Sequence, residues 1–127
     1  MIDDANDLGG PALRTFFEIA ERWSLTDEEQ RQILGLSSSF ALHRWRTKAQ
    51  RKTPLSLPHD TLERIGHIIG IYRSVHTLLP LAPAADRWIR ALNTAPLFGG
   101  RSALTRMLEG DICDLRAVRS YLDAALV

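Results

Sequence analysis

An all-helical fold is predicted by three features of the sequence: apolar residues recur at three- and four-residue spacing, stretches that alternate apolar and polar residues are almost absent, and capping residues stand where the periodic stretches begin and end. Pro11 opens the first helix, on which Leu13, Phe16, Phe17, Ala20 and Trp23 form one apolar stripe. The first ten or so residues, rich in Asp, Asn and Gly, offer little to bury and are expected to be disordered. In "SLTDEEQRQILGLS", Thr26 followed three residues later by Glu29 is a capping box, Asp27, Glu28 and Glu29 suit a helix N-terminus, and Gly35 ends the helix. Ser37, Ser38 or Ser39 then caps a third helix that carries Phe40, Leu42 and Trp45 into a basic run.

"KTPLSLP" breaks the pattern with two prolines. The break marks a boundary near Thr53 to Pro58, and hence a division into residues 1–55 and 56–127. Beyond it "PHDTLERIGHIIGIYRSVHTLLP" predicts a long helix with Leu62, Ile65, Ile69, Tyr72, Val75 and Leu79 on one face, ended by Pro80. A helix from about Ala84 to Leu92, the loop "NTAPLFGGR", a short helix through Leu104 and Leu108 ending at Gly110, and a last helix with Leu115, Val118, Leu122 and Leu126 complete the chain. Trp23, Trp88, Ile65, Ile69 and Leu79 are expected in the core.

With 127 residues, 45% of them hydrophobic, the chain has the size of one ordinary domain or two very small ones. Net charge is only +1, so any affinity for polyanions must be local. It is local: residues 1–31 hold eight acids and three bases, whereas 32–52 hold no acid and five bases. Cys113 is the single cysteine, which excludes an internal disulfide and cysteine-based zinc sites. It is expected in a short loop, as a structural or exposed thiol. His59, His67 and His76 are eight and nine residues apart, which does not stack them on one helix face, so no metal and no cofactor are expected. Gly99 and Gly100 follow no strand, as a phosphate loop would require. No nucleophile with an oriented base can be named, and the chain is read as no enzyme. The acidic N-terminus is no signal peptide and no stretch reaches the roughly 20 apolar residues of a membrane span, so a cytoplasmic protein is expected.

Two short helices joined at "LGLS", the second rich in Arg and Lys, form a helix-turn-helix pattern. A recognition helix must bury one face, through Phe40, Leu42 or Trp45 with Trp45 as anchor, and present donors on the other. Ser38, Ser39 and His43 would face the groove, Arg44, Arg46 and Lys48 the bases or backbone, and Arg51 and Lys52 flanking phosphates. The separation from Gly35 to Trp45 is one residue longer than in sequences of the GxSxxTxxRW kind, which leaves the register of this helix open by one position.

The C-terminal segment "WIRALNTAPLFGGRSALTRMLEGDICDLRAVRSYLDAAL" has a turn that makes local sense: Asn93 at a helix end, Pro96 fixing a dihedral, Phe98 plugging the core, Gly99 and Gly100 at positive φ, and Ser102 capping the next helix. Its order of Trp88, Asn93, "APLFGG", Leu104, Leu108, Gly110, Leu115, Val118 and "YLDA" resembles the Xre/MbcA/ParS-type toxin-binding domain. "DTLERIGHIIGIYRSVHTLLP" is similar to the helix joining that domain to an antitoxin Xre-like helix-turn-helix, so the resemblance spans about Leu13 to Leu126.

The resemblance implies a type II antitoxin that neutralises a toxin of RES fold, which consumes NAD, and with it represses its own operon by binding operator DNA. It implies toxin contacts among Arg101, Arg106, Arg116, Arg119, Tyr121, Asp123 and Val127. With so few residues after "YLDA", a block by the last helix itself is favoured over an occluding tail. A homodimer is expected, since two recognition helices one DNA turn apart multiply a modest affinity, with Phe16, Phe17 and Trp23 as a candidate interface. The alternative is a helix-turn-helix transcriptional regulator whose C-terminal domain only dimerises.

Overall fold

The computed structural model describes residues 9–126 of the chain. Seven helices lie among the described residues: α1 (Gly9–Arg22), α2 (Asp27–Leu34), α3 (Ser39–Gln50), α4 (His59–Leu78), α5 (Ala82–Trp88), α6 (Ala103–Met107) and α7 (Ile112–Ala125). The extended pairing among them is one isolated bridge, Leu92 to Ser102. The fold is all-helical, as the periodicity predicts. Two compact units divide within α4, residues 1–66 and 67–127. No helix among the described residues is long and apolar enough to cross a membrane.

In the first unit, α1 and α2 both pack against α3. Leu13, Phe16, Ile19 and Ala20 of α1 are buried, with Trp23 and Leu25 following. Ile19 takes the inward place expected for Phe17, which is half-buried. The helix is already running at Gly9, ahead of Pro11, and Gly9 and Gly10 are buried in it, so the expected disorder does not extend to these two; residues 1–8 lie outside the described part. The close approach of the "PLSLP" segment explains the glycine, because a Cβ at Gly9 would stand 2.2 Å from the Leu55 carbonyl oxygen. Leu55 and Leu57 are buried there, so the proline-rich break is also a packed strap.

Thr26 and Glu29 form the capping box of α2: Thr26 Oγ1 accepts from Glu29 N at 3.1 Å and Glu29 Oε1 from Thr26 N at 2.9 Å. Gly35 ends the helix at φ +71°. Arg64 closes over this end, donating Nη1 to Ile33 O at 3.2 Å, and a Cβ at Gly35 would meet Arg64 Cζ at 2.8 Å. Ser38 is the N-cap of α3, accepting from Ala41 N at 3.3 Å.

The anchoring of α3 differs from expectation. Leu42 and Ala49, two turns apart, are fully buried, while Trp45 is half-buried and Phe40 is 73% exposed. A small residue suffices at position 49 because α1 lies close, with Arg14 Nη1 donating to Ala49 O at 3.2 Å.

Along α4 the buried residues are Thr61, Ile65, Ile68, Ile71, Ser74 and Val75. Leu62, Ile69, Tyr72 and Leu79 of the predicted face are half-buried. The run from Ile68 to Tyr72 is apolar around more than a full turn, so periodicity alone does not fix the rotation of the helix. In the second unit α5 is shorter than predicted and ends at Trp88, itself half-buried. His76 Nε2 lies 2.9 Å from Asp86 Oδ1, tying α4 to α5.

The 93–101 loop is closed by backbone bonds from Asn93 N to Arg101 O at 3.0 Å and from Gly100 N to Asn93 O at 2.9 Å. Asn93 is therefore the hinge pin of this loop rather than the end of α5, and its Oδ1 also accepts from Ala95 N at 2.9 Å. Gly99 and Gly100 take φ +58° and +86°, and Ser102 caps α6, as read from the sequence. α6 packs on α7, which buries Leu115, Val118 and Leu122 as predicted, whereas Leu126, the fourth expected on that face, is the C-cap and is exposed. Cys113 belongs to the first turn of α7, not to a loop, because the Asp111 cap starts the helix one residue before it. It is exposed.

Candidate nucleic-acid interface

With Leu42 and Ala49 turned inward, the register of α3 is settled, and its exposed face reads Ser39, Phe40, His43, Arg44, Thr47, Gln50 and Arg51. Steps of three and four residues make this one continuous stripe along the helix. Every polar side chain in it carries a donor: hydroxyl, imidazole, guanidinium or amide. No acid stands in the first turn of α3, so its positive N-terminal end is left uncompensated.

The sequence-predicted DNA residues divide into groups. Ser39, His43, Arg44, Arg51 and Lys52 are exposed; Lys48 is half-buried. Ser38 is exposed, but its hydroxyl oxygen serves the cap. Arg46 turns away from the stripe. Its Nη2 donates to Asp27 Oδ1 at 3.0 Å and to Gln30 Oε1 at 3.1 Å, and its guanidinium stands 5.3 Å from the centre of the Phe17 ring. Gln30, 7% exposed, in turn donates Nε2 to Leu25 O at 3.0 Å. This polar bridge joins α1, α2 and α3. His43 borders it, with Nε2 3.7 Å from Asp27 Oδ2 and Nδ1 3.3 Å from Arg46 Nη1.

The residues assigned to toxin contact occupy the second unit. Arg101 and Arg116 are exposed. Arg106 Nε donates to Asp114 Oδ1 at 3.0 Å, linking α6 to α7, and Asp114 Oδ2 accepts from Asp111 N at 3.3 Å in the capping box of α7. Arg119 Nε lies 4.0 Å from Asp123 Oδ2 and its Nη1 3.4 Å from His67 Nδ1. Asp123 Oδ1 also accepts from Ser74 Oγ at 3.4 Å. Tyr121 packs edge-on to Phe98 at 5.1 Å, and Phe98 edge-on to Trp88 at 6.0 Å. Val127 lies outside the described residues. No group of three or more His, Cys, Asp or Glu that could hold a metal ion occurs among the described residues.

The model of the antitoxin Xre-like helix-turn-helix domain matches residues 4–70, more than half of the chain. The chain belongs to this family. The match spans the Xre-like domain through α1, α2, α3 and the first part of α4. A protein of Sinorhizobium fredii (strain NBRC 101917 / NGR234), named Uncharacterized protein y4oB, is 39% identical over 112 residues, 88% of this chain and 81% of its own.

In this Xre-like domain, sequence reasoning missed Phe40, Thr47 and Gln50 on the exposed face, and Gln30 and Asp27 behind it. A basic run draws attention to its charges and conceals neutral residues between them. The buried Gln30 leaves one signal, a polar residue four positions before Leu34 on the inward side of α2. Of the proposed dimer residues, Phe16 and Trp23 belong to the core of the first unit, since Leu13, Phe16, Ile19, Ala20 and Trp23 together make its inward face.

Proposed function

We infer that the protein is a type II antitoxin of the Xre kind: residues 1–55 hold the DNA-binding machinery and 56–127 the toxin-binding domain. The observation that carries the reading is the exposed, acid-free stripe of α3 inside a domain whose family is that of antitoxin Xre-like helix-turn-helix proteins. Ser39, His43 and Arg44 read the major groove, and Arg51, Lys52 and Lys48 meet phosphates. Arg46 positions α3 through Asp27 and Gln30 rather than touching DNA. The operator-bound form is a homodimer in the cytoplasm that represses its own operon.

The partner is a RES-type toxin that consumes NAD. The resemblance of the "APLFGG" to "YLDA" segment to toxin-binding domains supports this, and so does the rigid frame around it: the pinned loop, the Trp88, Phe98 and Tyr121 stack, and the Arg106 to Asp114 link. Arg101, Arg116 and Arg119 with Tyr121 face the toxin, and the protein itself performs no chemistry.

The test is growth on co-expression with the product of the neighbouring gene, expected to be a RES-type toxin. Arg44→Ala is expected to neutralise the toxin like wild type, while the charge reversal Arg101→Glu with Arg116→Glu, at exposed sites that leave the helices intact, is expected to restore toxicity. Full protection by the double reversal, together with failure of the two proteins to co-purify, would leave only the second reading, a regulator whose C-terminal unit dimerises.

A further inference from the structure

Phe40 is the anomaly of the exposed face. It is 73% exposed, two residues before a fully buried Leu42 and two after the N-cap Ser38. Isolated exposed apolar residues are ordinary on protein surfaces, but this one stands at a particular place. It lies in the first turn of the recognition helix, from which helix-turn-helix proteins reach base edges. Arg44 follows it by four residues and Thr47 by seven, on the same face.

Its surroundings discriminate between occupants. A protein partner covering Phe40 would also have to cover Ser39, His43, Arg44 and Thr47, a set of donors with no acid among them. The nearby acid Asp27 is engaged by Arg46 at 3.0 Å, with His43 Nε2 3.7 Å from its other oxygen. An anionic, acceptor-rich groove that also holds an apolar group matches this set. The major groove of DNA offers one such group, the 5-methyl of thymine, which protein side chains including Phe contact in direct readout.

We propose that Phe40 is a specificity-determining residue that packs on a thymine methyl in the major groove, with Arg44 and His43 bonding to neighbouring base edges. The proposal rests on the DNA-binding reading of α3.

The experiment uses the full chain and a duplex selected by it from a random-sequence pool, then remade with each thymine singly replaced by deoxyuracil, which removes only the methyl. Wild type is expected to lose about fourfold in affinity at one or two positions, the worth of one buried methyl group. Phe40→Ala should bind thymine and uracil duplexes equally, and Phe40→Leu should keep most of the discrimination. Helix content of each variant should match wild type, since the side chain is mostly in solvent.

Binding with a steep salt dependence but no methyl effect at any thymine, or an undiminished methyl effect in Phe40→Ala, overturns the proposal and leaves the DNA-binding reading standing. Failure to retain any duplex overturns both. A change in sedimentation from dimer to monomer in Phe40→Ala, with the methyl effect intact, would make Phe40 a protein contact instead.

Discussion

Arg44 and Arg46 lie two residues apart in one basic run, and the chain uses them differently. Arg44 has its side chain in solvent, whereas Arg46 is tied to Asp27, Gln30 and the Phe17 ring. Removing Arg46 leaves Gln30 Oε1, in a mostly buried residue, short of a donor. Arg46→Ala should therefore lower stability by about 1–2 kcal/mol, and Arg44→Ala by no more than about 0.5 kcal/mol, measured as midpoint shifts in urea at constant slope. Equal shifts would mean that the bridge is not what holds α3.

Gly35 is constrained twice, by φ +71° and by Arg64 2.8 Å from a would-be Cβ. Gly35→Ala is expected to cost about 1–2 kcal/mol from the left-handed backbone, plus the displacement of Arg64 from Ile33 O. Urea unfolding of Gly35→Ala beside Gly66→Ala, where a Cβ would meet nothing, checks it. At Glu28, the hydrogen bond from Arg31 holds the carboxyl below its ordinary 4.5, with attraction between the charges adding to it and burial opposing it. A depressed acid stabilises above its ordinary pKa and loses that contribution as pH falls through the folded value. The side chain is exposed, so Glu28→Gln should flatten only a shallow acid limb.

At the scale of elements, three helices end in the same way. α1, α2 and α3 each finish with a left-handed residue whose N–H, and that of its successor, bond back to the last turn: Ser24 and Leu25 to Glu21 and Ala20, Gly35 and Leu36 to Gln32 and Arg31, Lys52 and Thr53 to Ala49 and Lys48. Only the middle one uses glycine. Lys52 holds φ +55° at a strain of about 1 kcal/mol, so Lys52→Gly should raise the unfolding midpoint. If Lys52 also meets phosphate, the same variant binds duplex less tightly, and stability and affinity move in opposite directions.

Caps were the legible part of the elements. Thr26 with Glu29, Gly35, Ser102 and the Gly99–Gly100 pair declare themselves because short polar residues and glycines have few other reasons to stand at such positions. Rotation of the helices was not legible. The inward side of α3 is set by Leu42 and by Ala49, a residue too small to register in a hydrophobic pattern, while the conspicuous Phe40 and Trp45 lie further out. On α4 the converse holds, since too many consecutive apolar residues leave the face undetermined. Gly9 shows a third kind of silence, as its value is the absence of a side chain where Leu55 crosses.

For the whole molecule, the uneven charge along the sequence has a structural counterpart. The acids of α2 gather at its first turn, where they compensate the helix end, and Asp27 there pulls Arg46 inward. What remains on the outside of α3 is a donor surface within an overall balanced protein of net charge +1. Any affinity for a polyanion would thus be local and not that of a general polycation. The C-terminal unit also pairs arginines with acids, Arg106 with Asp114 and Arg119 with Asp123. Its Arg101 and Arg116 are exposed.

The central claim is that the outer face of α3 grips a DNA backbone and reads its groove. The measurement that reaches it most directly is the slope of log affinity against log salt for the full chain on its own promoter duplex, in wild type and in Arg51→Ala. The slope should fall by about 1 in the variant if the exposed Arg51 neutralises one phosphate, and remain as in wild type in Arg101→Glu, where only the C-terminal unit is changed. An Arg51→Ala protein with unchanged affinity and unchanged slope would contradict the account.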